Sequence, residues 1–261
     1  MNYTFIALTD PGLSRDNNED SVAFDDATHV GVLADGMGGY NAGEIASGMA
    51  TAFIKSELSR WLLEAGPQAN VQKIRHAIEV CVDNANLSIF NAANSNTQYT
   101  GMGTTLVVGV FQGNKLLLGH IGDSRCYRWR ANQLVQITRD HSLLQEQMDA
   151  GLLTPQQAAI SPNKNLVTRA LGVELGVMLE LHEHLVEPGD VYLMCSDGLT
   201  DMVDDLAIAR VLQQSVPLGQ MAGNLISLAN HNGGRDNISV LLTQVAGAAE
   251  KRGLISRLLG K

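Results

Sequence analysis

The sequence has few cysteines and few basic residues. Cys81, Cys126 and Cys195 are the only three thiols in 261 residues; they lie far apart and form no CxxC pair. That pattern argues against a disulfide framework or a zinc site and for reduced core thiols. Lysine and arginine number 18 against 27 acidic residues, giving a net charge of −9. Nucleic-acid binding rests on basic side chains neutralising phosphates, so no nucleic-acid partner is expected. No apolar run approaches the roughly 20 residues a membrane helix needs. The N-terminal run in MNYTFIALTD breaks at Asp10-Pro11 and carries no basic leader, so neither a signal peptide nor a membrane span is read there and cytoplasm is the expected compartment. Pro/Ser-rich linkers, charge blocks and fixed-period repeats are missing too, which favours one domain over residues 1–246, a short basic tail at 247–261, and a monomer.

Several motifs are begun and not completed. DGMGGYNAGE and GMGTT are glycine-rich, but neither completes GxGxxG or has a P-loop lysine. TRDHS has no accompanying DFG or VAIK, so a kinase loop is not supported. Asp16, Asn18 and Asp20 begin like an EF-hand, but Ser21 stands at the turn glycine and Ala27 at the final glutamate.

Short segments rich in Val, Leu and Tyr at 28–34, 104–111, 115–120, 126–130, 190–195 and 237–245 read as strands. Between them lie two long helical patterns. Ile45, Met49, Phe53, Leu58 and Trp61 or Leu62 share one face of the first, with Asn41 and Glu44 as a capping box. Val71, Ile74, Ile78, Cys81, Ala85 and Ile89 share a face of the second. A shorter pair is expected at 204–213 and 218–230. Strands in runs with helices inserted in pairs point to an α+β fold of antiparallel sheets covered by helix pairs. Residues 143–171 are polar, with a turn at 153–155, and read as a flap-like surface excursion.

Four aspartates border these apolar segments. VGVLADG ends at Asp35, LLLGHIGDSR sets Asp123 just past a strand, DVYLMCSDG ends at Asp197, and GGRDNISVLL sets Asp236 just before one. Each has a glycine within two residues. A buried, isolated carboxylate is disfavoured, and neighbouring carboxylates raise one another's pKa. A shared cation removes that penalty, and hard oxygen donors without His or Cys suit Mg²⁺ or Mn²⁺. Taken singly, each aspartate reads equally well as a turn former bonding its local backbone.

The ordered series RDNNED (15–20), ADGMGG (34–39), GMGTT (101–105), GDSR (122–125), TRDHS (138–142), TRALG (168–172), SDGL (196–199) and GGRDNISV (233–240) resembles the metal-dependent protein phosphatases, the protein phosphatase 2C family, in its compact bacterial form. The resemblance implies a four-layer αββα sandwich, two antiparallel sheets flanked by helix pairs. It implies hydrolysis of phosphoserine and phosphothreonine in proteins by a metal-activated water, reversing a bacterial Ser/Thr kinase. Phosphorylated proteins, including such a kinase and its substrates, are the implied partners. Two Mn²⁺ or Mg²⁺ ions are implied in the catalytic centre, with a third, weaker one beside them. Asp35 is implied to bridge two ions, with the Gly36 carbonyl on one and Asp197 and Asp236 on the other. Asp123 would hold the third, sharing Asp197. Glu19 and Asp20 would bind coordinated waters, and Arg15 the phosphate.

The sequence departs from the family pattern in places. Met37 follows the Asp-Gly pair where animal relatives carry a histidine, leaving the leaving-group acid unassigned, with a metal-bound water expected instead. His120 stands where asparagine is common and is read as core packing, and His141 as a structural hydrogen-bonding residue. Ser161 replaces a histidine frequent before the proline in bacterial relatives. His182 and His184 share a strand face that reads as solvated rather than metal-binding. The alternative from another class is a non-catalytic phosphoprotein-binding module of the same fold. In the tail, EKRGLISRLLGK is basic and amphipathic, too short to be a stable isolated helix, and is read as frayed or locally docked.

Overall fold

The structure is a computed structural model that describes residues 1–38, 42–66, 69–159, 161 and 166–247. Asn41 of the expected capping box, most of SPNKN and nearly all of the tail lie outside the described residues.

Two sheets form the centre. In the first, the order is β1 (Asn2–Asp10), β11 (Ile238–Ala246), β10 (Val191–Cys195), β7 (Arg125–Arg130) and β8 (Gln133–Gln136). In the second it is β2 (Asp20–Asp25), β3 (Val30–Met37), β5 (Leu106–Gln112), β6 (Lys115–Ile121) and β9 (Glu180–Leu185), with the short β4 (Gly103–Thr104) paired to β3. Every pairing is antiparallel. Alternation along each strand separates two faces. Phe5, Leu33, Val107, Phe111, Leu116, Tyr192 and Leu241 fill the space between the sheets. The opposite faces pack under helices. α1 (Ala42–Ala65) and α2 (Val71–Ser95) cover the second sheet, and α6 (Asp205–Leu212) and α7 (Leu218–His231) cover the first. The result is the αββα sandwich expected.

Helix α2 buries the expected Ile74, Ile78, Cys81, Ala85 and Ile89, with Val71 only half-buried at its start, and Asn70 caps it by accepting from the Lys73 amide. Helix α1 differs. Its fully buried face is Ala42, Ala46, Ala50, Ile54 and Leu58, while Ile45, Met49, Phe53 and Trp61 flank it half-buried. Small residues let this helix lie close to β2 and β3, so the bulky residues are displaced to the sides. Strands β1 and β2 were not anticipated; β1 is an edge strand with a mixed burial pattern, which weakens its alternation.

The flap-like stretch contains two short helices, α3 (Leu143–Asp149) and α4 (Pro155–Ala159), and the expected turn at 153–155 leads directly into the second. Isolated bridges Ser142↔Val167 and Thr104↔Leu171 tie its base to the sandwich. All three cysteines are buried and free.

Candidate active site

The polar ends of both sheets meet at one end of the sandwich. Asp35 lies inside β3, not beyond its end, because the strand runs on to Met37. Its backbone is held on one side by Thr105, whose amide donates to the Asp35 carbonyl at 2.9 Å and whose Oγ1 accepts from the Asp35 amide at 3.0 Å. On the other side β2 places Asp20 directly opposite. Gly36 is required by close approach: a Cβ there would meet the Gly43 carbonyl oxygen of α1 and, at 2.5 Å, that of Glu19. The Gly36 amide donates to that Glu19 carbonyl at 3.1 Å.

The other acids arrive from separate elements. Asp123 follows β6. Asp197 begins the one-turn helix α5 (Asp197–Thr200) rather than ending a strand. Asp236 precedes β11, and Arg15 Nη2 donates to its Oδ2 at 2.7 Å. A pocket of about 230 Å³ is lined by Arg15, Glu19, Asp35, Gly36, Asp123, Asp197 and Asp236, with Met37, Gly38, Thr105 and Val167 completing the wall. Of the eight residues implied to bind metal, coordinated water or phosphate, Arg15, Glu19, Asp20, Asp35, Gly36, Asp123, Asp197 and Asp236, Asp20 alone is not part of the lining. It lies buried behind Asp35, where Ser196 Oγ donates to its Oδ2 at 2.7 Å. Its other oxygen, Oδ1, is buried with no hydrogen bond.

This arrangement is electrostatically unfavourable for the protein alone. Burial, then the charges of Asp20, Asp197, Asp123 and Asp236, hold the Asp35 carboxyl well above the usual range. Burial, followed by Asp123 and Asp201, pushes Asp197 up to about 8. Asp123 is raised to about 6 by burial and then Asp140, and Asp20 to about 6 mainly by burial. Arg15 is raised too, first by its hydrogen bond to Asp236, but in a guanidinium that favours the charged form. Mutually repelling carboxylates, one carbonyl at Gly36 and an orphaned buried oxygen on Asp20 form a donor set of hard oxygens, which fits divalent Mn²⁺ or Mg²⁺.

Sequence reasoning missed the residues that hold this set together. Asn237 accepts from the Glu19 amide at 2.8 Å and donates to the carbonyls of Pro11 at 3.0 Å and Asn17 at 2.9 Å. Ser196 Oγ links Asp20 to the Ser239 amide. Asn237 follows an aspartate in a recognised motif, but nothing in the local pattern distinguishes it from a turn asparagine. The histidines are placed more specifically than expected. His120 is buried and stacks on His141 at 4.7 Å. His182 and His184 share a face of β9 with Glu180, which accepts from His182 at 2.8 Å, so a carboxylate does stand beside them.

A sandwich of this kind, with an acid-lined pocket where its two sheets end, defines a class of αββα proteins equipped for hard divalent cations. A model of the protein phosphatase 2C family matches residues 14–225, and the chain belongs to that family. It is 39% identical over 243 residues to the serine/threonine protein phosphatase PstP of Mycobacterium tuberculosis, covering 92% of this chain and 45% of that one. The chain thus spans under half the length of that relative. It is 35% identical to the serine/threonine phosphatase stp of Listeria monocytogenes over 239 residues, 90% of this chain and 93% of the relative. The catalytic domain of PstP, solved in complex with two manganese ions, superposes with a TM-score of 0.82 at 37% identity, covering 94% of this chain and 99% of that one. No helix among the described residues is long and apolar enough to cross a membrane.

Proposed function

We propose that this chain is a metal-dependent protein phosphatase that hydrolyses phosphoserine and phosphothreonine esters. One observation carries the reading: Asp35, Asp123, Asp197 and Asp236 line a single pocket together with Arg15. Asp35 and the Gly36 carbonyl would hold the paired ions with Asp197 and Asp236, and Glu19 and Asp20 would orient waters around them. When bound, such a pair supplies a water deprotonated near neutral pH and offsets charge during in-line attack on phosphorus. Arg15 supplies a planar, permanently charged fork at the pocket rim, suited to the phosphoryl oxygens. Met37 offers no proton, and no histidine lines the pocket, so the leaving alkoxide takes its proton from water.

The reading extends to finer points. Asp123, with Asp197 shared, would hold a third, weaker ion, and Mg²⁺ would substitute for Mn²⁺. Residues 1–246 form one catalytic domain with a short basic tail, and the chain works as a monomer in the cytoplasm. Its phosphoprotein substrates include a Ser/Thr kinase and that kinase's targets. The names of the relatives and the manganese complex of PstP support the reading as a metal-dependent Ser/Thr phosphatase. Hydrolysis of an aryl phosphate and of a phosphothreonine peptide, with and without Mn²⁺, tests it. Turnover is expected only with metal, and Asp35→Asn should lower it at least about 10²-fold. Phosphopeptide binding without metal-dependent turnover would favour the non-catalytic module instead.

A further inference from the structure

His120, His141 and Glu180 offer ligand atoms within 4.8 Å of one another, in the way a cation site would. The hydrogen bonds assign them differently. The Gly122 amide donates to His141 Nδ1 at 3.1 Å. A nitrogen that accepts carries no proton, so in the neutral ring the proton is on Nε2. Nε2 faces Glu180 Oε2 at 3.2 Å and donates to it. A cation on Nε2 would have to displace that proton while Nδ1 remains an acceptor, which requires an imidazolate. The set is therefore a hydrogen-bond relay running Gly122 to His141 to Glu180. Arg169 Nη1 lies 3.5 Å from Nε2; a bond from it would need the opposite tautomer, which the Gly122 bond disfavours.

The relay ends on a residue with no freedom to spare. Gly122 has φ +97°, and a Cβ there would come within 2.7 Å of Thr105 Cγ2, so only glycine is accommodated. His141 holds both polar groups of Gly122, since the His141 amide also donates to the Gly122 carbonyl at 2.9 Å. The next residue is Asp123. The rest of the TRDHS strip grips the same loop further along. Asp140 accepts from Arg125 Nε at 3.0 Å and Nη2 at 2.6 Å, and Thr138 Oγ1 accepts from the Cys126 amide at 3.0 Å. Behind the ring, His120 stacks on His141 and its Nε2 bonds the Arg139 carbonyl at 2.8 Å. Glu180 fixes the tautomer from β9.

We propose that His141 is a positioning residue for Asp123: its Nδ1 fixes the Ile121–Gly122 peptide and its backbone amide the Gly122–Asp123 peptide, and Glu180 keeps Nδ1 an acceptor. The consequence for metal binding rests on the function proposed above, because it takes Asp123 as the ligand of the weaker ion. His141 does not line the acid pocket, so it acts through the loop that carries Asp123.

The full chain carries the test, with two readouts. In EDTA, amide exchange at Gly122 reports the hold itself, independently of activity. Mn²⁺ titration by calorimetry then separates the event lost in Asp123→Asn from the remaining binding. His141→Leu removes the acceptor and is expected to speed Gly122 exchange at least tenfold and weaken the Asp123-dependent event about tenfold, leaving the other binding unchanged. His141→Asn retains an acceptor oxygen at the position of Nδ1 and should restore both. Glu180→Leu should give an intermediate acceleration by releasing the tautomer, and it carries the test if His141→Leu does not fold. Unchanged Gly122 exchange in a folded His141→Leu or Glu180→Leu chain, no rescue by asparagine, or equal weakening of all metal binding would overturn the proposal. If the natural chain binds no Mn²⁺, the proposed function fails while Gly122 exchange still decides whether His141 holds the loop.

Discussion

Asn237 uses every hydrogen-bonding group it has. Its side chain takes one amide and satisfies two carbonyls in the 11–19 segment, and its own amide donates to Asp236 Oδ1 at 2.9 Å. The segment that carries Arg15 and Glu19 is thereby fixed to the strand that presents Asp236. Replacing Asn237 by alanine strands three partly buried backbone groups, and each unsatisfied group costs about 1–3 kcal/mol. Because the three bonds are only part-buried, water can re-satisfy some of these groups, and we expect Asn237→Ala to destabilise the chain by roughly 2–4 kcal/mol in denaturant titration. Asn237→Asp keeps the size but turns both donors into acceptors facing carbonyls, and adds negative charge beside Asp236. It should be at least as damaging; a stability within about 0.5 kcal/mol of the natural chain would show that the bracket is not needed. The aspartates themselves were legible in sequence because each borders an apolar run within two residues of a glycine and falls in the ordered motif series; singly, each read equally well as a turn former. Asn237 and Ser196 were not, since the Glu19 amide and the Asp20 carboxylate that they bond lie more than 170 residues away, and no local pattern encodes such pairings.

At the scale of elements, the contact of α1 with β3 shows where pattern reading fails. A search for bulky residues at helical spacing selects Ile45, Met49 and Phe53, yet the helix turns Ala46 and Ala50 to the sheet. Small side chains there permit the approach that brings Gly43 against Gly36, and so set the depth of the pocket floor. The prediction concerns volume. Ala50 is fully buried, and Ala50→Leu inserts a branched side chain into a closed interface, which costs about 1–3 kcal/mol. The denaturant midpoint should fall without change in slope, and metal-dependent turnover should fall with it, as β3 is pushed from its register with Thr105. If the variant is as stable as the parent, α1 is not seated as closely as described. Helix α2 was readable because its stripe is made of large residues. Residues 143–171 were readable as an excursion from their polarity, although their two short helices carry too little periodicity to be seen.

The whole molecule trades stability for the acid cluster, and the trade has a sign in pH. Asp35 is held well above the ordinary carboxyl range and Asp197 is pushed up to about 8, whereas both ionise near pH 4 when unfolded. Above about pH 7 the depressed histidines, His29, His120, His141 and His184, have largely lost their protons in both states. Below about pH 8 the thiols largely keep theirs in both states. Between those limits the folded chain in EDTA holds protons that the unfolded chain has released. Stability must then fall as pH rises, by up to about 1.4 kcal/mol per pH unit for each proton held. Mn²⁺ binds the ionised carboxylates, so its stabilisation should grow over the same interval. Asp197→Asn separates the two effects. It removes a repelled charge, so at pH 8 in EDTA the variant should melt higher than the natural chain and show a flatter pH dependence. It also removes a shared donor, so most of the gain from Mn²⁺ should disappear along with turnover. Thermal melts at pH 7, 7.5 and 8 in EDTA and in Mn²⁺ check both halves. A natural chain whose metal-free melting temperature rises across that interval, or an Asp197→Asn chain that melts lower in EDTA, would mean that the carboxylates are not strained against one another and that no cation is needed to hold them together.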